Sequence, residues 1–553
     1  MRLVLALLCG LVLCPLGVSQ TQAADPDPMD YAAVPFAEVR DSPECHLRVV
    51  NGRAEFGAAV TNPAQTCPDS FAWWMFAQVV SQHFWEDWST DRQTWPSDPW
   101  PRCKPNEAPG RCCAAVEISN TSAPAHCPVF PGPTEGVPDN QVRAPVTAHQ
   151  IPLSQATGRS DGSWNDVPDI LKAPVIGALQ DELIYRNQPM TDYVFDNELY
   201  FQEGLARVFA AAVDARAAYA PRWPTPPDPS AAHPAPPSLI AISFPVKSMM
   251  VKVNWLAADL ARKVGIDPDD TAHPFITMDL IPRATAADPH PAKKRYLMLA
   301  FHISSKDVPN WTWATFEHVA NQGRCDFIGC NDSFGYRAAA VPASGTLAAP
   351  ARNYIPPQHR HGVQGADVDA FALAQRYPDE GEMTDGLRDL LAAMQVAGGG
   401  TNPTGRPTQQ DAAWKSYRLK GSQIDFVTQT GVPRLLGNSV TEAGFVNTAS
   451  CMTCHARAAV TQDGVAAFAI FSTRLSDAGL AESVNGAPNP AWFSVDAFFG
   501  HGGRRETPRL LALQTDFVWG FRFACPAKTA QFGPSWCTHV TKGYSQPVPV
   551  RGQ

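Results

Sequence analysis

The sequence predicts an α+β chain. It reads as an antiparallel-sheet-rich central region with short helices and long proline-rich loops, followed by an irregular to helical C-terminal region. Three observations carry this. Apolar residues alternate in several segments between positions 239 and 317, the period of a strand with one covered face. Only three stretches repeat at helical spacing. The 553 residues include 52 prolines, well above the usual share of about 5%, and proline removes a backbone donor and breaks helices.

In chain order, Met1-Arg2 is a short positive segment, Leu3 to Val18 is largely apolar, and Thr21-Gln22-Ala23 puts small residues before a cleavage point. Residues 1–23 are therefore expected to be a secretory signal peptide, since the apolar run is shorter than the ~20 residues that span a bilayer. Residues 24–220 are expected to form a disulfide-rich N-terminal region with helices. Six cysteines lie between Cys45 and Cys127, and an even set in an oxidising compartment predicts that this region is stapled to itself. Phe71, Trp74, Met75, Val79 and Phe84 predict a helix from about 70 to 88, and Leu205, Val208, Phe209, Ala212 and Val213 a second within Leu199 to Tyr219.

The proline-rich stretches Pro128–Pro138 and Pro221–Pro237 and the Gly/Pro-rich Gly398–Thr408 read as linkers or long loops. Between the last two, residues 238–397 are expected to be the sheet-rich central region. Strands are predicted at Leu239–Phe244, Met249–Trp255, Arg295–Ser304 and Trp311–His318, and a short helix at Leu387 to Met394. Cys325 and Cys330 are placed to close a small loop, and Cys525 and Cys537 another near the C-terminus.

The most specific motif lies in the last region, 409–553. Cys451-Met452-Thr453-Cys454-His455 reads C-x-x-C-H, the attachment site of a c-type haem. Two thiols at this spacing each bond a haem vinyl group, and the adjacent imidazole ligates iron. A zinc site needs two further ligands, and no second C-x-x-C or H-x₃-H accompanies this motif. The expectation is one haem c, bound by Cys451, Cys454 and His455, with His455 as the axial iron ligand. Its other ring nitrogen should be fixed by a hydrogen bond.

The sixth iron position separates the functional classes. No methionine follows Met452, so the usual downstream ligand is missing. The candidate distal ligands are His318, His302 and His501. His501 sits in Phe499-Gly500-His501-Gly502-Gly503-Arg504-Arg505, a polar loop suited to a ligand or to propionate binding. Glu317 and His318 are the catalytic candidates, because a carboxylate beside an imidazole can do acid–base work; they read equally as a buried structural pair.

Several segments together resemble large periplasmic proteins with a single C-terminal haem motif, known only as cytochrome c family proteins. They are Phe301-His302-Ile303, Trp313 to Asn321 (containing Trp-Ala-Thr-Phe-Glu-His), Trp414 to Ile424, Leu436-Gly437-Asn438-Ser439 with Glu442, Ser450 to His455, and Thr515-Asp516-Phe517-Val518-Trp519. The resemblance covers roughly residues 240–520. It implies a role for His302 and for the Glu317–His318 pair, and it names no substrate. The cysteine-rich N-terminal region and the Cys325–Cys330 loop are additions to that pattern.

The formal charge of −9 is mild for this length, and no basic patch is present, which excludes nucleic acid as a partner. No segment is long and apolar enough to span a membrane. The expected location is the periplasm. The expected function is electron transfer with a periplasmic donor and acceptor. The alternatives are a haem-dependent oxidoreductase, peroxidase- or oxygenase-like, on a small organic substrate, or a haem-stapled binding protein.

Overall fold

The computed structural model describes most of residues 41–130, 176–219, 239–337, 382–393, 411–467, 486–495 and 509–527, together with Cys537. The signal segment, His501 and the Arg504–Arg505 pair lie outside the described residues. The principal elements are α1 (Pro68–Ser81), β1 (Asp181–Arg186), α2 (Gln188–Asp196), α3 (Gln202–Tyr219), β2 (Met249–Ala257), β3 (Thr277–Leu280), β4 (Lys294–Ser305), β5 (Thr312–His318), α4 (Asp385–Ala393), β6 (Tyr417–Gln423) and α5 (Cys451–His455).

The fold is α+β and its sheet is antiparallel throughout. Strand order is β6-β5-β4-β2-β1, and β3 pairs with the start of β4. Three of the four expected strands form. Leu239–Phe244 does not; it runs as irregular chain into Pro245, although Ile242 and Phe244 are buried. Proline cannot donate to a ladder, so this segment packs without pairing. The edge strand β1 belongs to the expected N-terminal region, and β6 to the expected C-terminal region. The central sheet therefore draws on both flanking segments.

The expected helix at 70–88 breaks after α1. His83 takes a left-handed conformation (φ 49°), and a separate turn, Phe84–Asp87, follows. Both pieces bury aromatic residues against the sheet.

Strand alternation gives the sheet two chemically different faces. Leu183, Tyr185, Val251, Val253, Phe301, Ile303, Ala314 and Phe316 share one face and belong to the largest apolar core. Helix α1 covers this face with Phe71, Trp73, Phe76 and Val80, and α4 adds Leu387, Leu390 and Leu391. The opposite face carries Glu182, Lys252, His302, Thr315 and Glu317 at matching register positions. A polar sheet face at the centre of a molecule needs a cover that satisfies it. The C-terminal segment is that cover.

Disulfides join Cys45–Cys67, Cys103–Cys112, Cys113–Cys127 and Cys525–Cys537. The N-terminal region is thus stapled to itself, as its cysteine count predicts, and the C-terminal loop closes as expected. Cys330 is also disulfide-bonded. These bonds suit an oxidising compartment. Among the described residues, no helix is long and apolar enough to cross a membrane.

Candidate functional site

Helix α5 is a single turn capped by Ser450, whose hydroxyl accepts the Thr453 N–H. The end of β6 anchors it. The Gln423 amide donates to Ser450 Oγ at 3.0 Å and accepts the Met452 N–H at 3.2 Å. Thr453 Oγ1 donates to the Gly486 carbonyl at 2.6 Å. Met452 and Thr453 are fully buried. In a helix, residues i, i+3 and i+4 share a face. Burying the two middle residues of C-x-x-C-H therefore turns Cys451, Cys454 and His455 together toward the other side.

That side opens on a cavity against the polar sheet face. His302 from β4, Lys252 from β2, Glu182 from β1 and Trp313 from β5 line it, facing Cys451, Cys454 and His455. About 140 Å³ of it is enclosed, and the space widens at an open mouth.

The imidazole of His455 is fixed. Its Nδ1 donates to the Phe517 carbonyl at 2.8 Å, and its ring centroid lies 4.4 Å from that of Trp313. The carbonyl is aimed by an unusual turn, in which Asp516 and Phe517 both have positive φ (49° and 67°). A bulky residue there is strained and must be held by its surroundings. Asp516 does the holding. It accepts from Phe244 N at 2.8 Å, from Lys306 Nζ at 2.5 Å and from Trp311 Nε1 at 3.3 Å. Thr515 Oγ1 donates to the Val518 carbonyl at 2.9 Å, and Trp519 Nε1 to the Cys454 carbonyl at 3.0 Å. The Thr-Asp-Phe-Val-Trp segment is therefore a clamp on the histidine and on the helix that bears it.

The electrostatics fit a covalent cofactor better than a redox dithiol. Burial pushes both the Cys451 and Cys454 thiols up, whereas a reactive C-x-x-C has a lowered thiol pKa. Burial also pushes His455 down to about 4, which leaves the neutral imidazole that a metal requires. Cys451 and Cys454 are the free thiols among the described cysteines. With Nδ1 engaged, His455 has Nε2 to offer. Two thiols, one imidazole nitrogen, an apolar-walled cavity and the cations Lys252 and Arg522 at its wall are a donor set that fits a c-type haem. Cys451, Cys454 and His455 would hold it.

Of the two expected distal candidates among the described residues, His302 reaches this cavity. Its Nε2 is 2.9 Å from Asn438 Nδ2, 3.3 Å from Thr441 Oγ1 and 3.6 Å from Glu442 Oε2. Burial, with Lys252 the largest nearby charge, holds it well below the usual imidazole range. Glu442 is pushed up to about 7, chiefly by burial, with Lys252 opposing.

The Glu317–His318 pair does not assemble. Adjacent strand residues point to opposite faces, so the two never meet. His318 lies on the core face and does not line the cavity. Its Nδ1 accepts the Ala320 N–H at 3.1 Å, its Nε2 is 3.4 Å from the Pro274 carbonyl, and it stacks on Phe275 at 3.6 Å. With both nitrogens engaged it is a satisfied core histidine, and it is withdrawn as a distal ligand. Glu317 faces the site side, beneath the cavity wall. It accepts from Ser439 N at 2.9 Å, Ser439 Oγ at 2.5 Å and Asn321 Nδ2 at 3.3 Å, and Lys420 Nζ lies 3.6 Å away. Glu317 is therefore a buried structural carboxylate, but not as a pair with His318.

Sequence reasoning missed Met250, Lys252 and Glu182 as cavity residues. The signal was available in part. They alternate with the apolar residues of their strands, and Lys252 pairs with Glu182 at 3.0 Å across neighbouring strands. Comparison with known protein families, curated proteins and solved structures gives no match.

Proposed function

We propose that the chain is a secreted c-type cytochrome of the periplasm that carries one haem and acts in electron transfer. One observation carries this reading. In a chain whose other described cysteines are disulfide-bonded, two unpaired thiols share a helix face with an imidazole whose Nδ1 is locked, and all three border one cavity. The resemblance to single-haem cytochrome c family proteins points the same way.

When bound, the haem supplies one-electron oxidation and reduction. The chain's residues do the rest. Cys451 and Cys454 tether, and His455 presents Nε2 because Phe517 takes the proton side of its ring. Trp313, Trp519 and Phe523 wall off water. A second reading, a haem-dependent oxidoreductase acting on a small organic substrate, is favoured by the polar groups that share the cavity: His302, Lys252, Glu182 and Glu442. A closed electron carrier has no evident use for them.

The test is the pyridine haemochrome spectrum of protein secreted from a host that matures c-type cytochromes. The wild type should give the signature of two thioether bonds, and Cys451→Ser and Cys454→Ser that of one or of no attachment. A colourless wild type, or two-bond attachment in either variant, would refute the proposal. Rapid carbon monoxide binding by the reduced protein would select the second reading over the first.

A further inference from the structure

We infer that His302 is held in its Nδ1–H tautomer and donates that proton to a small anionic or dipolar acceptor in the cavity, rather than ligating iron. This rests on the haem reading. The side-chain amide of Asn438 has a single orientation. Its Oδ1 receives the backbone N–H groups of Val440 at 3.0 Å and Thr441 at 2.5 Å. Both partners are donors, so that atom is the oxygen. The other atom is then the NH₂ group, and it points at His302 Nε2 from 2.9 Å and at Thr315 Oγ1 from 3.3 Å.

An N–H aimed at a ring nitrogen requires a lone pair there, so Nε2 is an acceptor and the proton of a neutral ring sits on Nδ1. Thr441 Oγ1 does not change this. Its proton goes to Asn254 Oδ1 at 2.5 Å, and it stands farther from Nε2 than the amide does. Glu442 Oε2, at 3.6 Å from Nε2, is beyond hydrogen-bond reach and takes the Asn438 backbone N–H at 2.7 Å. The Nε2 lone pair is thus already used, and it is the pair a metal would need.

Nδ1 differs. It has no hydrogen-bond partner among the described residues and is not sealed from open space, although the residue is only 8% exposed. An imidazole held this firmly by Asn438, with one donor left over in a cavity, is built to meet an acceptor there. Lys252 in the same wall is paired with Glu182 at 3.0 Å, so the His302 donor itself sets the preference: a small anion or a dipolar diatomic molecule that accepts a hydrogen bond.

The experiment is a cyanide titration of the full-length, haem-loaded ferric protein, followed by absorption and electron paramagnetic resonance. The haemochrome spectrum is recorded first, so failure of the haem reading is recognised separately as the absence of attached haem. His302→Phe should keep the resting spin state and weaken cyanide by about tenfold. Asn438→Asp keeps the acceptor for Val440 and Thr441 but moves the His302 proton to Nε2, and it should weaken cyanide in the same direction. His302→Gln, which carries its own N–H, should recover part of the affinity, and it keeps the test alive if the phenylalanine variant fails to fold. A low-spin to high-spin change in His302→Phe would overturn the inference by making His302 an iron ligand. So would unchanged cyanide affinity in His302→Phe or in Asn438→Asp, or a wild type that takes no cyanide.

Discussion

Replacing Lys420 by methionine tests the claim that Glu317 is structural. Lys420 Nζ lies 3.6 Å from Glu317 Oε1, and both side chains are fully buried. At an effective dielectric of about 20 the attraction is about 5 kcal/mol. Removing one partner of such a pair strands the other charge and costs about 3–5 kcal/mol. The three donors to Glu317, from Ser439 and Asn321, remain in Lys420→Met, so the loss reports the missing counter-charge. Adding Glu317→Gln removes the stranded charge, and the double variant should return to within about 2 kcal/mol of the wild type. Urea unfolding followed by circular dichroism measures all four corners of the cycle, and the visible absorption of folded Glu317→Gln should match the wild type. A loss below about 1 kcal/mol in Lys420→Met, or a double variant as unstable as the sum of the singles, refutes the reasoning. On the haem reading, a changed visible spectrum in a stably folded Glu317→Gln would return Glu317 to the chemistry.

Two further outcomes follow from the buried groups. Burial pushes His318 down to about 3, against about 6.5 in an unfolded chain, so its contribution is complete above the unfolded value and is lost as pH falls from about 6.5 to 3. The loss is on the order of 3–5 kcal/mol; His318→Phe should flatten that part of the stability–pH curve, and equal slopes in both proteins would disprove the assignment. Gly520→Ala would place a Cβ 2.4 Å from Trp95 Cη2 and 2.8 Å from Arg186 Nη2. Arg186 is itself locked to Asp91 at 2.7 Å. The variant should lose about 1–3 kcal/mol and, on the haem reading, shift the visible absorption band, since Gly520 borders the cavity; an unchanged melting temperature would show that the wall yields freely.

Much of the fold is legible locally. Strands β2, β4 and β5 announce themselves by alternation, and α1, α3 and α4 by apolar spacing, because both periods follow from backbone geometry alone. Leu239–Phe244 misled for a definite reason: its alternation is real and two of its residues are buried, but no neighbouring strand takes its hydrogen bonds. The half of the site on α5 is legible as well, since Cys451, Cys454 and His455 need only one turn of helix to share a face. The opposite wall is not. Glu182, Lys252, His302 and Trp313 come from four strands, and nothing local says which strands pair or in which register.

The same contrast separates the histidines. His302 and His318 are both strand residues in apolar surroundings, indistinguishable by composition. Register puts one on the polar face and the other on the core face, because a strand turns each successive side chain to the opposite side. Lys420 is a similar case. It meets Glu317 through a register shift between Leu419 and Gly421, an inserted residue that re-aims a side chain.

By itself, then, the sequence determined the thiol–thiol–imidazole set, the disulfide-rich character of the N-terminal region and the α+β class, all of which depend on neighbours within a few residues or on cysteine count. Tertiary structure alone decided what faces that set, which nitrogen of His455 is tied back, and which histidine reaches the cavity. Those depend on pairing between strands that are separated in sequence and on the strained turn at Asp516–Phe517, whose conformation is imposed by Phe244, Lys306 and Trp311 from distant parts of the chain.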